Sequence, residues 1–457
     1  MAIIPQTSLF SWKDVDNLGE LERLQLVLDT VPDEQLMCLL EAERGKGRDD
    51  YPVRALWNSV LAGIVYQHPS IESLRRELLR NDRLRWMCGF DPLEEAQEVV
   101  PTPSACSHFL AKLIAHQAQI DAMLDELVEK LRGVLEGPPG CNGRVDFGRH
   151  LACDSKAIAS HARPRRKDQK KAEPQPDGRR DLDADHGAKT YRGEREDGTQ
   201  WEEVRRWFGY KLHLVVDADY ELPVAYEVTK ASRPDNKSAV RMLDGLQEAH
   251  PQLLEGCEAF MADKGYDDGK LLEKLWRGHG IRPVIPKRED WKDGEKTRPL
   301  LQGADNVVYD CQGQVYCVCR WTGQQQEMVY WGYETQRDSQ KWRCPAARWG
   351  YECKDRERCG GGDYGRIVRV PRSIDQRTFT PVARPTLAFK RLYKKRTAVE
   401  RVNSRLDVSY GFERHFIRGL AKMRLRCSMA LVVMLAMALG RARQKRRELM
   451  GSLVGVG

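Results

Sequence analysis

The chain has 457 residues, of which 41% are hydrophobic and 31% charged, and its mean hydropathy is −0.61. That composition excludes a bundle of membrane spans and leaves apolar material for about three domains at ~150 residues each. A formal net charge of +8 admits a polyanionic partner without requiring one.

Residues 1–136 read as a helical region, with apolar side chains at helical spacing over 53–66 and 71–86. Thr102-Pro103 predicts another helix start. The threonine hydroxyl can accept a first-turn N–H, and proline lacks a donor that the first turn leaves unused anyway. That helix is expected to run through Phe109, Leu110, Leu113 and Ile114 towards Leu131. Two roles stay open for the region, DNA binding or dimerisation. Gly137-Pro138-Pro139-Gly140 marks a joint.

Residues 145–289 read as the first part of a mixed α/β core. His150–Ile158 is a buried strand carrying one acid, Asp154. Arg163–Arg206 is highly charged and poor in apolar residues, so a mobile loop over the site is expected. Phe208–Val216 and Pro223–Thr229 alternate about a turn at Ala218–Glu221, which predicts a hairpin. A helix from about Asn236 to Ala249 follows, then a strand Glu258–Ala262 ending at Asp263. A helix Gly269–His279 and a strand Pro283–Pro286 complete this part.

Residues 290–388 break the rhythm with short strand-like runs and six of the thirteen cysteines, and read as a β-type insertion. Residues 389–447 return to the core with a long helix starting near Leu387 and carrying Glu400. The last helix, about Gly419–Arg443, has an apolar centre and basic ends. Its apolar run, Ser428–Leu439, is shorter than the ~20 residues that a bilayer crossing needs. No leader-like basic and apolar start is evident, so reduced thiols in a cytoplasmic protein are expected rather than a disulfide framework.

Charge is unevenly spread. Lys390–Arg447 holds seventeen Lys or Arg against Glu400, Asp407 and Glu413, a net +14, so the remainder carries −6. A block of this density suits a phosphate-binding surface; a solvated helix face is the plain alternative. No Walker-type phosphate loop, GxGxxG turn or HExxH helix is present. His213, inside an alternating strand, reads as structural.

Three acids stand out by context: Asp154 in its apolar strand, Asp263 at a strand end, and Glu400 in a basic helix. A carboxylate in apolar surroundings is costly unless it is paired or binds a cation. Three converging carboxylates suit Mg²⁺ (or Mn²⁺), which takes hard oxygen ligands. Two such ions can stabilise the attacking and leaving oxygens of a phosphoryl displacement. Helix caps or salt bridges are the alternative for each acid alone. Tyr393, Arg396, Glu400 and Asp407 fall on one stripe of the expected helix, where a guanidinium can grip phosphate oxygens in a fork.

Tyr393-x2-Arg396-x3-Glu400, Asp154 in its strand, Ala262-Asp263-Lys264-Gly265-Tyr266-Asp267 and Gly209–Asp217 together resemble the large group of bacterial insertion-sequence DDE transposases. The resemblance spans roughly residues 50–440. It implies an RNase H-like core, cation-dependent chemistry, and cleavage and joining of DNA at element ends. It implies Asp154, Asp263 and Glu400 as the metal-binding triad. Tyr393 and Arg396 would contact DNA near the scissile phosphate, with Lys264, Lys394, Lys395, Arg401 and Arg405 as further basic contacts. Pairing of element ends implies a DNA-bound homodimer, and the family works on DNA in the bacterial cytoplasm. The family often carries Lys seven residues after the glutamate; here that position is Asp407. A nuclease that cuts without joining, and a silent DNA-binding descendant, are the other readings.

In the insertion, the Cys311-Gln312-Gly313 and Cys344-Pro345 steps look like metal knuckles. Cys311, Cys344, Cys353 and Cys359 could hold a structural Zn²⁺ tetrahedrally. These positions also match cysteines that recur in one branch of the resembling family. Free thiols packing a small β unit are the alternative.

Overall fold

The computed structural model describes residues 20–45, 50–91, 94–135, 147–164, 180–195, 197–300, 306–356, 358–359 and 362–451. The expected joint at 137–140 lies outside them.

Among the described residues eight helices come first: α1 (Leu21–Leu28), α2 (Glu34–Arg44), α3 (Val53–Val65), α4 (Ile71–Arg80), α5 (Asp82–Cys88), α6 (Ala96–Val99), α7 (Pro103–Ala115) and α8 (Gln117–Leu135). The run expected over 71–86 is two helices, because the Asn81 side chain accepts the Leu84 N–H and caps a new start. Thr102 caps α7 by accepting the Ala105 N–H, with Pro103 in the first turn. The helix expected to continue towards Leu131 breaks at His116, and α8 restarts at Gln117.

The core sheet contains β1 (His150–Ala159), β2 (Asp185–Glu194), β3 (Gln200–Asp217) and β4 (Leu222–Lys230). Helices α9 (Asp235–Ala249) and α10 (Pro251–Glu255) lead to β5 (Ala259–Ala262), α11 (Gly269–Glu273) and β6 (Arg282–Val284). A π-helical turn at Lys274–Gly278 replaces the second half of the helix expected over 269–279. The six-stranded sheet has the order β2-β3-β1-β5-β6, with β4 also on β3. β1 runs antiparallel to β3 and parallel to β5, so the sheet is mixed. Gly209 sits where β3 meets β1; a Cβ there would lie 2.1 Å from the Ile158 carbonyl oxygen, which only glycine avoids.

The loop expected over 163–206 is corrected in part. Residues 180–206 include β2 and the first half of β3, paired from Asp185↔Gly209 to Glu194↔Gln200. Cross-strand hydrogen bonding builds this ribbon without an apolar core, which is why composition misled. Residues 165–179 lie outside the described residues.

Two small sheets follow. One holds β7 (Thr297–Pro299), β8 (Val307–Asp310), β9 (Val315–Val318) and β10 (Gln325–Glu327). The other holds β11 (Val329–Glu334), β12 (Ser339–Arg343) and β13 (Ile367–Pro371), with α12 (Pro345–Trp349) between the last two. They share a second apolar cluster around Val307, Trp342, Val370 and Phe379.

The chain closes with α13 (Leu387–Lys394), α14 (Thr397–Tyr410) and α15 (Leu420–Arg443). By length and composition α15 could cross a membrane, but 89% of its apolar window is buried in the fold. It packs on α1, α3, α7, α8 and β4, which joins the first helices and the sheet in one core. A mixed sheet flanked by helices is consistent with an RNase H-like fold.

Candidate active site

Leu151, Ala152 and Cys153 are fully buried, which pins β1 in the middle of the sheet. Cys153 pairs with Ala262 across the parallel β1–β5 ladder. The next residues on the two strands are Asp154 and Asp263. The register therefore brings both acids to the end of the β1–β5 pairing, Asp154 midway along β1 and Asp263 just past β5, on strands about 4.8 Å apart. Asp154 is 8% exposed. Its Oδ1 accepts the Ser155 N–H at 2.7 Å. Asp263 lies just past β5 and accepts the Gly265 N–H at 2.6 Å.

Glu400 comes from α14, whose buried face of Ala398, Val399, Val402 and Leu406 packs towards β1 and β3. Glu400 itself is half exposed. Arg396 connects it to the strand: Nη2 donates to Glu400 Oε1 at 2.5 Å and Nη1 to Asp154 Oδ2 at 3.4 Å. The guanidinium thus supplies positive charge between two of the acids. Its carbon also lies 5.6 Å from the Tyr393 ring centre.

Burial pushes the Asp154 carboxyl up to about 6. Lys189 opposes this, Asp263 adds to it as a like charge, and Arg396 opposes it. The Tyr393 hydroxyl is also raised by burial, against the pull of Arg396. Among the described residues, no group of three or more His, Cys, Asp or Glu side chains is closed up around a metal position. The donor chemistry of Asp154, Asp263 and Glu400 nevertheless fits a hard divalent cation, because all three offer carboxylate oxygens and the most buried one needs countercharge.

The long helix expected from Leu387 through Glu400 is divided in two, but Arg396 still reaches both the Tyr393 ring and Glu400. Tyr393 belongs to α13, and a tighter helical turn at Lys395–Arg396, in which Lys395 N–H donates to Leu392 and Arg396 N–H to Tyr393, leads into α14. Asp407 is held by Lys156, two residues beyond Asp154 on β1, with Nζ 2.5 Å from Oδ2. An acid at this position therefore meets a base from the strand.

The other expected basic contacts divide by environment. Arg401 donates to Glu221 Oε1 at 2.5 Å and Arg405 to Glu221 Oε2 at 3.1 Å, which ties α14 to the β3–β4 turn. Lys395 pairs with Asp219 at 2.5 Å and also reaches His150. Lys264 and Lys394 are exposed. His213 is fully buried and its Nε2 lies 2.9 Å from the Thr229 hydroxyl oxygen, a structural role.

Sequence reasoning missed Lys189, which reaches the surroundings of Asp154 from the ribbon it had assigned to a loop. It also missed Asp235, which acts electrostatically on Cys153 and Tyr266 beside Asp154 and pairs with Lys211 at 2.8 Å. The signal for Asp235 was an acid opening a helix after Pro234. Asp235 also lines a cavity of about 550 Å³ with Lys211, Asn236, Gly265, Asp267 and Arg288.

In the insertion, Cys344, Cys353 and Cys359 line one space of about 20 Å³, and Cys311 is not among its lining residues. The Cys311 Sγ lies instead 3.8 Å from Gln312 Nε2. The thiol that feels all three is Cys317, pushed up to about 12 by burial and then by Cys344, Cys353 and Cys359. The knuckle-like turn favoured Cys311; Cys317, on β9, is likewise not among the residues lining that space, and only its charge coupling to Cys344, Cys353 and Cys359 singles it out. The described cysteines are all free.

The family model described as Transposase DDE domain matches residues 149–436, and that described as Transposase domain (DUF772) matches residues 12–112. A cryo-EM structure of the piggyBac transposase synaptic complex with hairpin DNA aligns at 11% identity and a TM-score of 0.38. The alignment covers 97% of this chain and 80% of that one. At that TM-score the likeness carries no argument. No curated protein matches the chain.

Proposed function

The chain belongs to the Transposase DDE domain family, and from that premise we propose that it cuts DNA at the ends of an insertion sequence and joins them to target DNA. The observation that carries the reading is the parallel β1–β5 register, which sets Asp154 beside Asp263 while Arg396 links Asp154 to Glu400. The finer signature, Tyr393-x2-Arg396-x3-Glu400 of the bacterial insertion-sequence group, belongs to the same proposal.

In this mechanism Asp154, Asp263 and Glu400 would hold Mg²⁺ or Mn²⁺, which would supply activation of the attacking oxygen and stabilisation of the leaving one. Arg396 turns its fork to the scissile phosphate, and the Tyr393 ring fixes that guanidinium's plane. Exposed Lys264 and Lys394 draw in the flanking backbone. Water, then a DNA 3′-hydroxyl, acts as nucleophile, so the protein contributes position and charge rather than a covalent bond. Pairing of two ends calls for a DNA-bound homodimer in the bacterial cytoplasm.

Purified protein with end-labelled element DNA, Mg²⁺ and a target plasmid tests the reading. Asp154→Ala, Asp263→Ala and Glu400→Ala are each expected to abolish cleavage while DNA binding survives. Normal cleavage by any of them removes that residue from the mechanism, and nicks without joined product indicate a nuclease instead.

A structural Zn²⁺ in the insertion is part of the proposal, with Cys317 replacing Cys311 beside Cys344, Cys353 and Cys359. Binding would draw these thiols together and couple the metal to folding of the small sheets. Zinc measured on purified protein should be equimolar in Cys311→Ser and depleted in Cys317→Ser; the reverse pattern, or no zinc in the parent chain, refutes the assignment.

A further inference from the structure

The insertion carries an exposed ladder of flat side chains. Trp331 is 40% exposed, Trp349 65% and Tyr364 51%, although Trp342 on the same small sheet is buried. The Arg343 guanidinium lies 3.8 Å from the Tyr364 ring centre and 5.0 Å from that of Trp331. Arg348 continues the series, 5.8 Å from the Trp331 ring centre and 4.9 Å from that of Trp349. The order is therefore Tyr364, Arg343, Trp331, Arg348, Trp349, with rings and cations alternating.

Local structure aims these groups outward. Tyr330 pairs with Trp342 and Gly332 with Lys341, so Trp331 is the extra residue of a β-bulge in β11. A bulge leaves one residue out of the ladder and re-aims its side chain. Gly332, at φ +125°, supplies the backbone conformation that this requires. Trp349 ends α12, and Gly350 at φ +76° turns the chain away behind it. Neither Arg343 nor Arg348 has a carboxylate partner among the described residues, so their charge is free for a ligand. Residues 341–369 contain eight Lys or Arg against four acids, although Lys341 and Arg369 pair with Glu334 and Arg356 with Asp363.

We propose that this ladder binds single-stranded DNA, with the outer faces of Trp349 and Tyr364 stacking on unpaired bases and Arg343 and Arg348 meeting the adjoining phosphates. The inference rests on the reading of the chain as a DNA enzyme and adds to it the strand form that the insertion holds. Unpaired bases offer flat faces that rings and guanidinium planes can stack on, and the backbone answers the cations. A closed duplex hides those faces and can use the charges alone. An acidic protein would satisfy the arginines but has no counterpart for three exposed aromatic faces.

Full-length protein is titrated against a fluorescein-labelled thymidine strand of about 20 nucleotides and a duplex of equal length, a span that covers one binding groove. Trp349→Ala and Tyr364→Ala are expected to weaken single-strand binding by about 5- to 100-fold, the range that loss of one stacked base gives, while duplex binding stays within about twofold. Trp349→Phe keeps a ring and is expected to retain most of the affinity. Since Trp349 is largely exposed, unchanged melting of its variants separates lost stacking from lost folding. Unaltered single-strand binding by both alanine variants overturns the proposal. So does equal weakening of strand and duplex, which makes duplex DNA the occupant. If the parent chain binds and cleaves element DNA while the ladder variants behave like it, only the ladder fails. If the parent binds no DNA of either form, the ladder and the transposase reading fail together.

Discussion

Replacing Asp154 by Asn should make the metal-free protein more stable while destroying its activity. The carboxyl is 8% exposed, and burial holds it at about 6 against an ordinary 3.8. At ~1.4 kcal/mol per pH unit, ionising it at pH 8 costs the fold about 3 kcal/mol. Asparagine removes that cost and keeps a carbonyl oxygen to accept from Ser155 and Arg396. The sign follows from linkage. A raised folded-state value means that the protonated carboxyl's contribution is fully present below 3.8 and is lost as pH rises through about 6. The Asn variant should therefore melt higher at pH 8 in chelator, by roughly 6–12 °C given ~2–4 °C per kcal/mol for a core of this size. The gap should narrow below pH 6 and close near pH 4. Added Mg²⁺ should raise the parent's melting temperature and leave the variant's where it was, because binding only the folded state stabilises it. Melting curves over pH, with and without Mg²⁺, measure all of this. An Asn variant that melts no higher than the parent at pH 8, or a gap that persists at pH 4, refutes the reasoning.

Two further outcomes test the supports of the site. His250 is 1% exposed, with Nδ1 2.7 Å from Glu129 and Nε2 3.1 Å from Asp125, both on α8. Burial pulls its pKa down, but hydrogen bonds and charge from the two carboxylates outweigh this and raise it above 6.5. Its stabilising contribution is therefore complete below pH 6.5 and lost as pH rises through the higher folded value. His250→Gln should flatten that dependence in urea midpoints taken across the range; an unchanged pH profile counts against the pairing. The second concerns Lys156 and Asp407, which pair at side-chain exposures of 12% and 27%. Lys156→Met should cost about 1–3 kcal/mol, because Asp407 already has a buried, unpartnered Oδ1 and would lose its cation as well. Lys156→Met with Asp407→Leu should recover much of that loss, and a double-mutant cycle with no coupling energy would show the pair to be incidental.

Local patterns made much of the molecule legible. Thr102-Pro103 marked its helix because capping needs only neighbouring residues. The β3–β4 hairpin was readable because alternation and a turn are short-range signals, and its turn falls between Asp217 and Leu222 as the sequence suggested. Asp154 and Asp263 stood out because an acid beside a buried strand is costly wherever that strand packs. The tighter turn at Lys395–Arg396 was not legible, since Leu387–Tyr410 has no proline or glycine to announce it. The β2–β3 ribbon was missed because its partners lie across a turn in charged sequence, where composition points to a loop.

What the sequence by itself determined was therefore the inventory: which acids are costly to bury, where helices and hairpins start, and how charge collects towards the C-terminus. Those properties depend on residues a few positions apart. The tertiary structure decided every pairing between distant segments. It set Asp154 level with Asp263, brought Lys156 to Asp407, put Cys317 within electrostatic reach of three other thiols, and turned Trp331 outward on a bulge. Each of these depends on strand register or helix packing. A slip of one residue in register would send a side chain to the opposite face while leaving the local sequence signal unchanged.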